Sequence, residues 1–417
     1  MQHAANFFPA NAGADFRHPF GGKSQIAKCR PSFHKICVNL RIFVSKCPAN
    51  LIGTTKCYRR PKTVSRLAGA VLLGVFTLLF PSVSVRAQLI LTIYAGQDHI
   101  QNTSATFAIV SLDGTVDPTL YPTLWIQNNA TITILERIEV DTPSNDSYIR
   151  GSGFITTQGG APLEIDVKKA PRLIITDNVQ IVGNVPLIKK GPGIFAFHSQ
   201  YGQIHQFGTI TVNEGLVDIS SARLSVTGPI TVKANATLWL QFNFGSPTES
   251  VRIAKTGGGL PSLNLNGDKN HEANFVLIKH REDTSLIQGL STLYIEDKGS
   301  IQFHNTAPAT PIILYLDQLT FNDANAILRI INWVEGATYL LVKKTWGDVN
   351  IPPLLSQIYF EGYGFAQSWE THDLSGYSDY WQITPFPEPA TYGAILAAAG
   401  LGLWAWKRRK YSPSQSD

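Results

Sequence analysis

The chain has 417 residues, with 35 Lys/Arg against 30 Asp/Glu and a formal net charge of +5. The positive charge sits at the ends: residues 1–87 hold thirteen Lys/Arg and one acid, residues 387–417 hold four Lys/Arg and two acids, and residues 88–386 keep 18 cations against 27 anions, a net of −9. An acidic body removes the electrostatic footing for nucleic-acid binding, and with no cysteine beyond Cys57 it has no disulfide staples, so a large core must hold it together.

Residues 1–58 read as an N-terminal extension without a structural role. They carry all four cysteines, Cys29, Cys37, Cys47 and Cys57, whose spacing lacks the close pairs of a zinc site. Residues 59–87 have the build of a secretory signal peptide. Arg59, Arg60, Lys62 and Arg66 precede the apolar run Leu67–Phe80, and Val85-Arg86-Ala87 closes it, with cleavage expected after Ala87. A signal peptide normally opens a chain, so residues 1–58 are read as a long basic leader or a start placed upstream of the true one.

Residues 88–309 are expected to be all-β. Short runs of Thr, Ile, Val and Leu recur at Thr131–Leu135, Leu173–Thr176, Thr209–Val212, Leu216–Ile219, Ile230–Val232 and Thr237–Leu240, the residue types of a half-buried pleated surface. Gly, Asn and Pro fall between them as turn formers. The strands are short and the turns closely spaced, which suits stacked coils of roughly twenty residues.

One segment carries a resemblance. Lys189-Lys190-Gly191-Pro192-Gly193-Ile194, followed by Gly208-Thr209-Ile210-Thr211-Val212-Asn213-Glu214-Gly215-Leu216, resembles the autotransporter-associated β-strand repeat. Lys255–Leu263 looks like a partial second copy. The resemblance implies a right-handed parallel β-helix, a solenoid, in an exported passenger.

Residues 310–384 are dense in aromatics, among them Trp333, Trp346, Tyr359, Phe365, Trp369 and Trp381. Two readings stand: a β-rich cap over the last coil of the solenoid, or a carbohydrate-binding surface on which sugars stack. Residues 385–410 then form a unit of their own. Pro387-Glu388-Pro389 precedes the uncharged run Ala390–Trp406, and Lys407-Arg408-Arg409-Lys410 follows at once. Pro389 to Trp406 would make roughly 27 Å of helix, the short end of a single transmembrane span. The cations act as a stop and place the body on the non-cytoplasmic side. Residues 411–417 are a polar tail. In this order the triplet, the Gly/Ala/Leu-rich helix and the basic cluster resemble the PEP-CTERM sorting domain. The resemblance implies recognition of Pro387, Glu388 and Pro389 by an exosortase, processing at that point, and delivery to the cell surface or extracellular matrix.

Catalytic patterns are sparse. His271-Glu272 begins like a metalloprotease motif, but Phe275 stands where the second histidine belongs. Glu164 and Asp166 share a strand face. Solvated surface is the stronger account of that pair. Asp141, Asn145 and Asp146 share a turn suited to a hard cation, which loop solubility explains as well, and His198 and His205 flank the motif loop without a metal site being expected there. No cofactor and no metal site is expected. The function expected is therefore that of an exported, non-catalytic bacterial surface or matrix protein. Its expected partners are the secretion machinery, an exosortase, the inner membrane before processing, and exopolysaccharide, with no nucleic acid. The alternative is a secreted parallel β-helix polysaccharide lyase or hydrolase working through Glu164, Asp166, Lys168 and Arg172.

Overall fold

The computed structural model describes residues 41–42 and 87–410, apart from 116, 118, 170–171, 200–202, 221, 243–251, 281–283 and 386–388. The chain divides into a unit of residues 1–38, which lies outside the described residues, and a unit of residues 39–417, which carries the fold. The four cysteines and residues 59–86 of the expected signal peptide also lie outside the described residues, as does the tail 411–417.

The body is all-β, and its strands stack as a parallel solenoid. Each coil gives one strand to a 12-stranded sheet and one or two to a 17-stranded sheet. In the 12-stranded sheet Leu124 pairs with Ile149, Ile149 with Ile175, Ile175 with Phe197, Phe197 with Ile219, Ile219 with Leu240, Leu240 with Leu277, and Leu277 with Phe303, all in parallel register. These residues form one column through the interior, each no more than 1% exposed. Side chains alternate across a strand, so the residues flanking this column face the other side of the sheet, where Trp125, Tyr148 and Trp239 are half-buried and Ile174, Ala196 and Val276 are buried.

The 17-stranded sheet turns a corner along its length. Its strands either break, as between Phe154–Thr157 and Leu163–Val167, or keep going through an irregularity, as between Phe107 and Ile109. Coil length varies while the 12-stranded sheet keeps its register. Asp218 pairs with Trp239, 21 residues on, and Trp239 pairs with Val276, 37 residues on.

Parallel pairing runs on through residues 312–342. At this end of the solenoid the antiparallel pairs come later: Tyr380–Thr384 joins Leu341–Lys343 and Ser368–Glu370, while Ile358–Phe360 joins Gly364–Phe365. A helix not expected from the sequence, Lys344–Leu354, lies between them. Its Lys-Thr-Trp-Gly-Asp-Val-Asn-Ile-Pro-Pro-Leu sequence has no clear apolar stripe and ends in Pro352 and Pro353, which cannot donate backbone hydrogen bonds. Packing sets it instead: Ile351 is buried, Trp346 and Trp381 pack against the core, and Trp381 Nε1 donates to Asp348 at 2.6 Å.

The C-terminal segment Pro389–Lys410 is a helix of 22 residues. Its described side chains, 397–407, are exposed. Among the described residues no helix is long and apolar enough to cross a membrane. The expected single transmembrane helix is thus met by a helix at the expected place but not by a demonstrated span. The shortfall comes from both ends of the run, where Pro389, Thr391, Tyr392 and Gly393 and then Trp404 and Trp406 lower its mean hydropathy.

Candidate functional site

The expected sorting residues fall at element ends. Ala87 lies in the two-residue strand Ala87–Gln88, paired antiparallel with Arg41–Ile42. Pro387 and Glu388 lie outside the described residues. Pro389 is the first residue of the C-terminal helix, a position where a missing N–H costs nothing. Lys407, Arg408, Arg409 and Lys410 make up its last turn, where cations meet the negative end of the helix dipole.

The motif segment folds into a corner between coils. Ile138, Ile165, Lys189, Val212, Val232, Leu265 and Ile295 follow one another in register. Lys189 is therefore the one cation in an aliphatic column, and it is fully buried. Its Nζ donates to the carbonyls of Lys190 and Gly191, both at 2.6 Å, and of Glu214 at 3.3 Å. Burial lowers its pKa to about 8, with the charges of Asp166 and Glu214 acting the other way. Gly191 and Gly215 have φ of 73° and 71°. A Cβ on Gly215 would lie 2.5 Å from the Gly193 carbonyl oxygen, and one on Gly191 would lie 2.3 Å from that of Val167. The residues that carry the resemblance thus close a corner and satisfy its carbonyls. Lys255 is not equivalent: it ends a strand in register with Val226 and is exposed, and its three following glycines form an open turn.

The flanking histidines do not converge. His205 is fully buried, and its Nδ1 accepts from the Ile181 N–H at 3.2 Å. Its ring lies 4.7 Å from that of Phe197, within a cluster that includes Phe195 and Phe207. Burial depresses its pKa to about 3. His198 faces outward, with Nε2 3.7 Å from Asp218. Among the described residues no group of three or more His, Cys, Asp or Glu is placed to hold a metal ion.

The acids named from sequence are distributed, not gathered. Glu164 and Asp166 face outward from the 17-stranded sheet, and Lys190 Nζ pairs with Glu164 at 2.7 Å. Lys168 lies 3.4 Å from Glu139, which also pairs with Arg137 at 3.2 Å. Burial opposes ionisation of Glu139, yet Lys168 and Arg137 outweigh it and hold the carboxyl below its usual range. Arg172 belongs to the other sheet, where it grips both oxygens of Asp146 at 3.1 and 2.7 Å. Asp141 pairs with Lys169 at 2.7 Å, and Asn145 Nδ2 donates to the Leu120 carbonyl at 3.3 Å. His271 Nδ1 lies 3.2 Å from Asp268 in an exposed turn.

A pocket that sequence reading did not assemble lies on the outer face of the 12-stranded sheet. It encloses about 210 Å³ and is lined by Glu272, Lys298, Ile327, Arg329, Tyr359 and Phe365. Successive coils supply it: Lys298 pairs with Ile327, Arg329 with Tyr359, and Tyr359 with Phe365. Arg329 lies 2.6 Å from Glu361 and 3.5 Å from Glu272, and Lys298 Nζ donates to the Lys269 carbonyl at 2.6 Å. The rings of Tyr359 and Phe365 meet edge to face at 5.4 Å. Glu272, Tyr359 and Phe365 were each visible in the sequence, in a broken metal motif and an aromatic cluster. Only coil register joins them. Set against protein-family models, curated proteins and solved structures, the chain matches none.

Proposed function

We propose that this chain is an exported, non-catalytic bacterial surface or matrix protein, whose solenoid body is carried to the outside and handled by an exosortase at Pro387-Glu388-Pro389. The observation that carries the reading is the order of parts at the C-terminus: the triplet, a helix opening at Pro389, and Lys407–Lys410 closing that helix. A helix rich in Ala and Gly suits a temporary anchor in the inner membrane, since a weakly apolar span is held less firmly. The acidic body suits solubility, and its continuous core holds it together without disulfides. In this reading the secretion machinery removes the leader after Ala87, exopolysaccharide is a further partner, and nucleic acid is not. The coils are right-handed, the hand that parallel crossovers strongly favour. The lyase or hydrolase alternative draws no support from Glu164, Asp166, Lys168 and Arg172. Arg172 lies on a different sheet from Glu164 and Asp166, Lys168 lies just past the end of their strand, and Glu164, Lys168 and Arg172 each have an ion partner of their own.

Mass spectrometry of the two termini of the exported protein tests this. The expected product starts near Gln88 and ends near Pro387–Pro389. A variant with alanine at positions 387, 388 and 389 is expected to stay in the inner membrane. Recovery of both termini intact, or normal release of that variant, would overturn the proposal.

A further inference from the structure

We propose that the pocket between Glu272 and Phe365 binds one neutral pyranose residue of a glycan. A pyranose presents an apolar face of C–H groups and a rim of hydroxyls that both donate and accept. The pocket offers the matching set. Ile327, Tyr359 and Phe365 form the apolar wall, Glu272 is an acceptor, and Arg329 and Lys298 are donors. Its volume of about 210 Å³ lies below the range of pockets for drug-sized ligands, so it suits a single ring. The groups are also held in place before a ligand arrives. Arg329 is fixed by Glu361, and Lys298 by the Lys269 carbonyl, which lowers the ordering cost of binding. The 3.5 Å separation of Arg329 from Glu272 leaves both groups capacity for a shared hydroxyl, accepting from the guanidinium and donating to the carboxylate.

Charge decides the class. Two cations, Lys298 and Arg329, are balanced by two carboxylates, Glu272 in the lining and Glu361 paired with Arg329. An anionic sugar would lose to the carboxylates what it gained from the cations. A purely apolar ligand would strip water from three charged groups without replacing it. A neutral polyhydroxylated ring uses both signs. The inference gives a chemistry to the exopolysaccharide partner proposed above, and its test does not depend on export or processing.

The test uses the purified full chain in a non-glycosidic detergent. Saturation-transfer NMR and calorimetry are run with methyl glucopyranoside, galactopyranoside and mannopyranoside, and with methyl glucuronide as the anionic comparison. At least one neutral glycoside is expected to bind in the roughly millimolar range typical of single small rings, with saturation strongest on ring C–H protons. Glu272→Gln and Phe365→Ala, both at solvent-facing positions, are each expected to weaken it at least about tenfold, while Glu164→Gln on the other sheet leaves it unchanged. Three results would each overturn the proposal: no transfer from any neutral glycoside, binding of the glucuronide alone, or binding that both pocket variants leave intact. A sugar-binding chain with unprocessed termini would support this inference while refuting the sorting one.

Discussion

Lys189 and Lys190 are neighbours in sequence and belong to different regions of the molecule. Lys189 points into the stack, among Ile165 and Val212, with its ammonium on three backbone carbonyls. Lys190 points out and pairs with Glu164, in a row that continues through Glu139, Arg137 and Lys168. Period-2 geometry alone makes the difference. The interior cation is bound to this one corner, whereas the exterior one can be exchanged, because exposed pairs contribute little.

The sharpest way to break that contrast is Lys189→Ala. It removes the side chain from a packed column and leaves corner carbonyls without their donor, so a loss of about 3 kcal/mol in urea unfolding is expected. Lys189→Met keeps most of the packing and should lose less. A Lys189→Ala protein as stable as the wild type would dismiss the interior role.

A second interior group gives a pH test. His205 has a folded pKa near 3 against an ordinary value near 6.5. The unfolded chain therefore binds the extra proton first, and stability contributed by neutral His205 is complete above about pH 6.5 and drains away as pH falls toward 3. Unfolding midpoints compared from pH 7 to pH 4 should converge between wild type and His205→Leu. The variant starts lower, because the Ile181 N–H loses its acceptor, and declines less steeply. Parallel curves would contradict the assignment. The smallest effect is expected at the surface: Lys190→Ala should cost no more than about 0.5 kcal/mol, shrinking further in high salt. A loss comparable with that of Lys189→Ala would erase the contrast between the two regions.

The sequence made the strands legible where alternation was regular, as at Thr209–Val212 and Thr237–Leu240. It also marked the special positions of the corner, Lys189, Gly191 and Gly215, without showing what they do. The inward aim of Lys189 follows from its place two residues after Leu187, but the carbonyls it serves include one from Glu214, in the next coil. The helix Lys344–Leu354 was not legible, because its stability comes from Trp381 and the last coils, not from its own pattern. The pocket was hidden for a related reason. Lys298, Ile327, Arg329 and Tyr359 come from three strands about 30 residues apart in sequence and meet only once the coils stack; the unequal coils before them, of 21 and 37 residues, leave no fixed period that would give the pairing away.

That inequality has a practical consequence. Between Trp239 and Val276 the chain spends 37 residues on a circuit that its predecessor completes in 21, and the next strand still falls into line. Circumference and alignment are therefore independent variables in this scaffold. A foreign epitope of comparable size grafted at that circuit should hang from the outside like a banner, leaving the packing of the coils beneath it undisturbed.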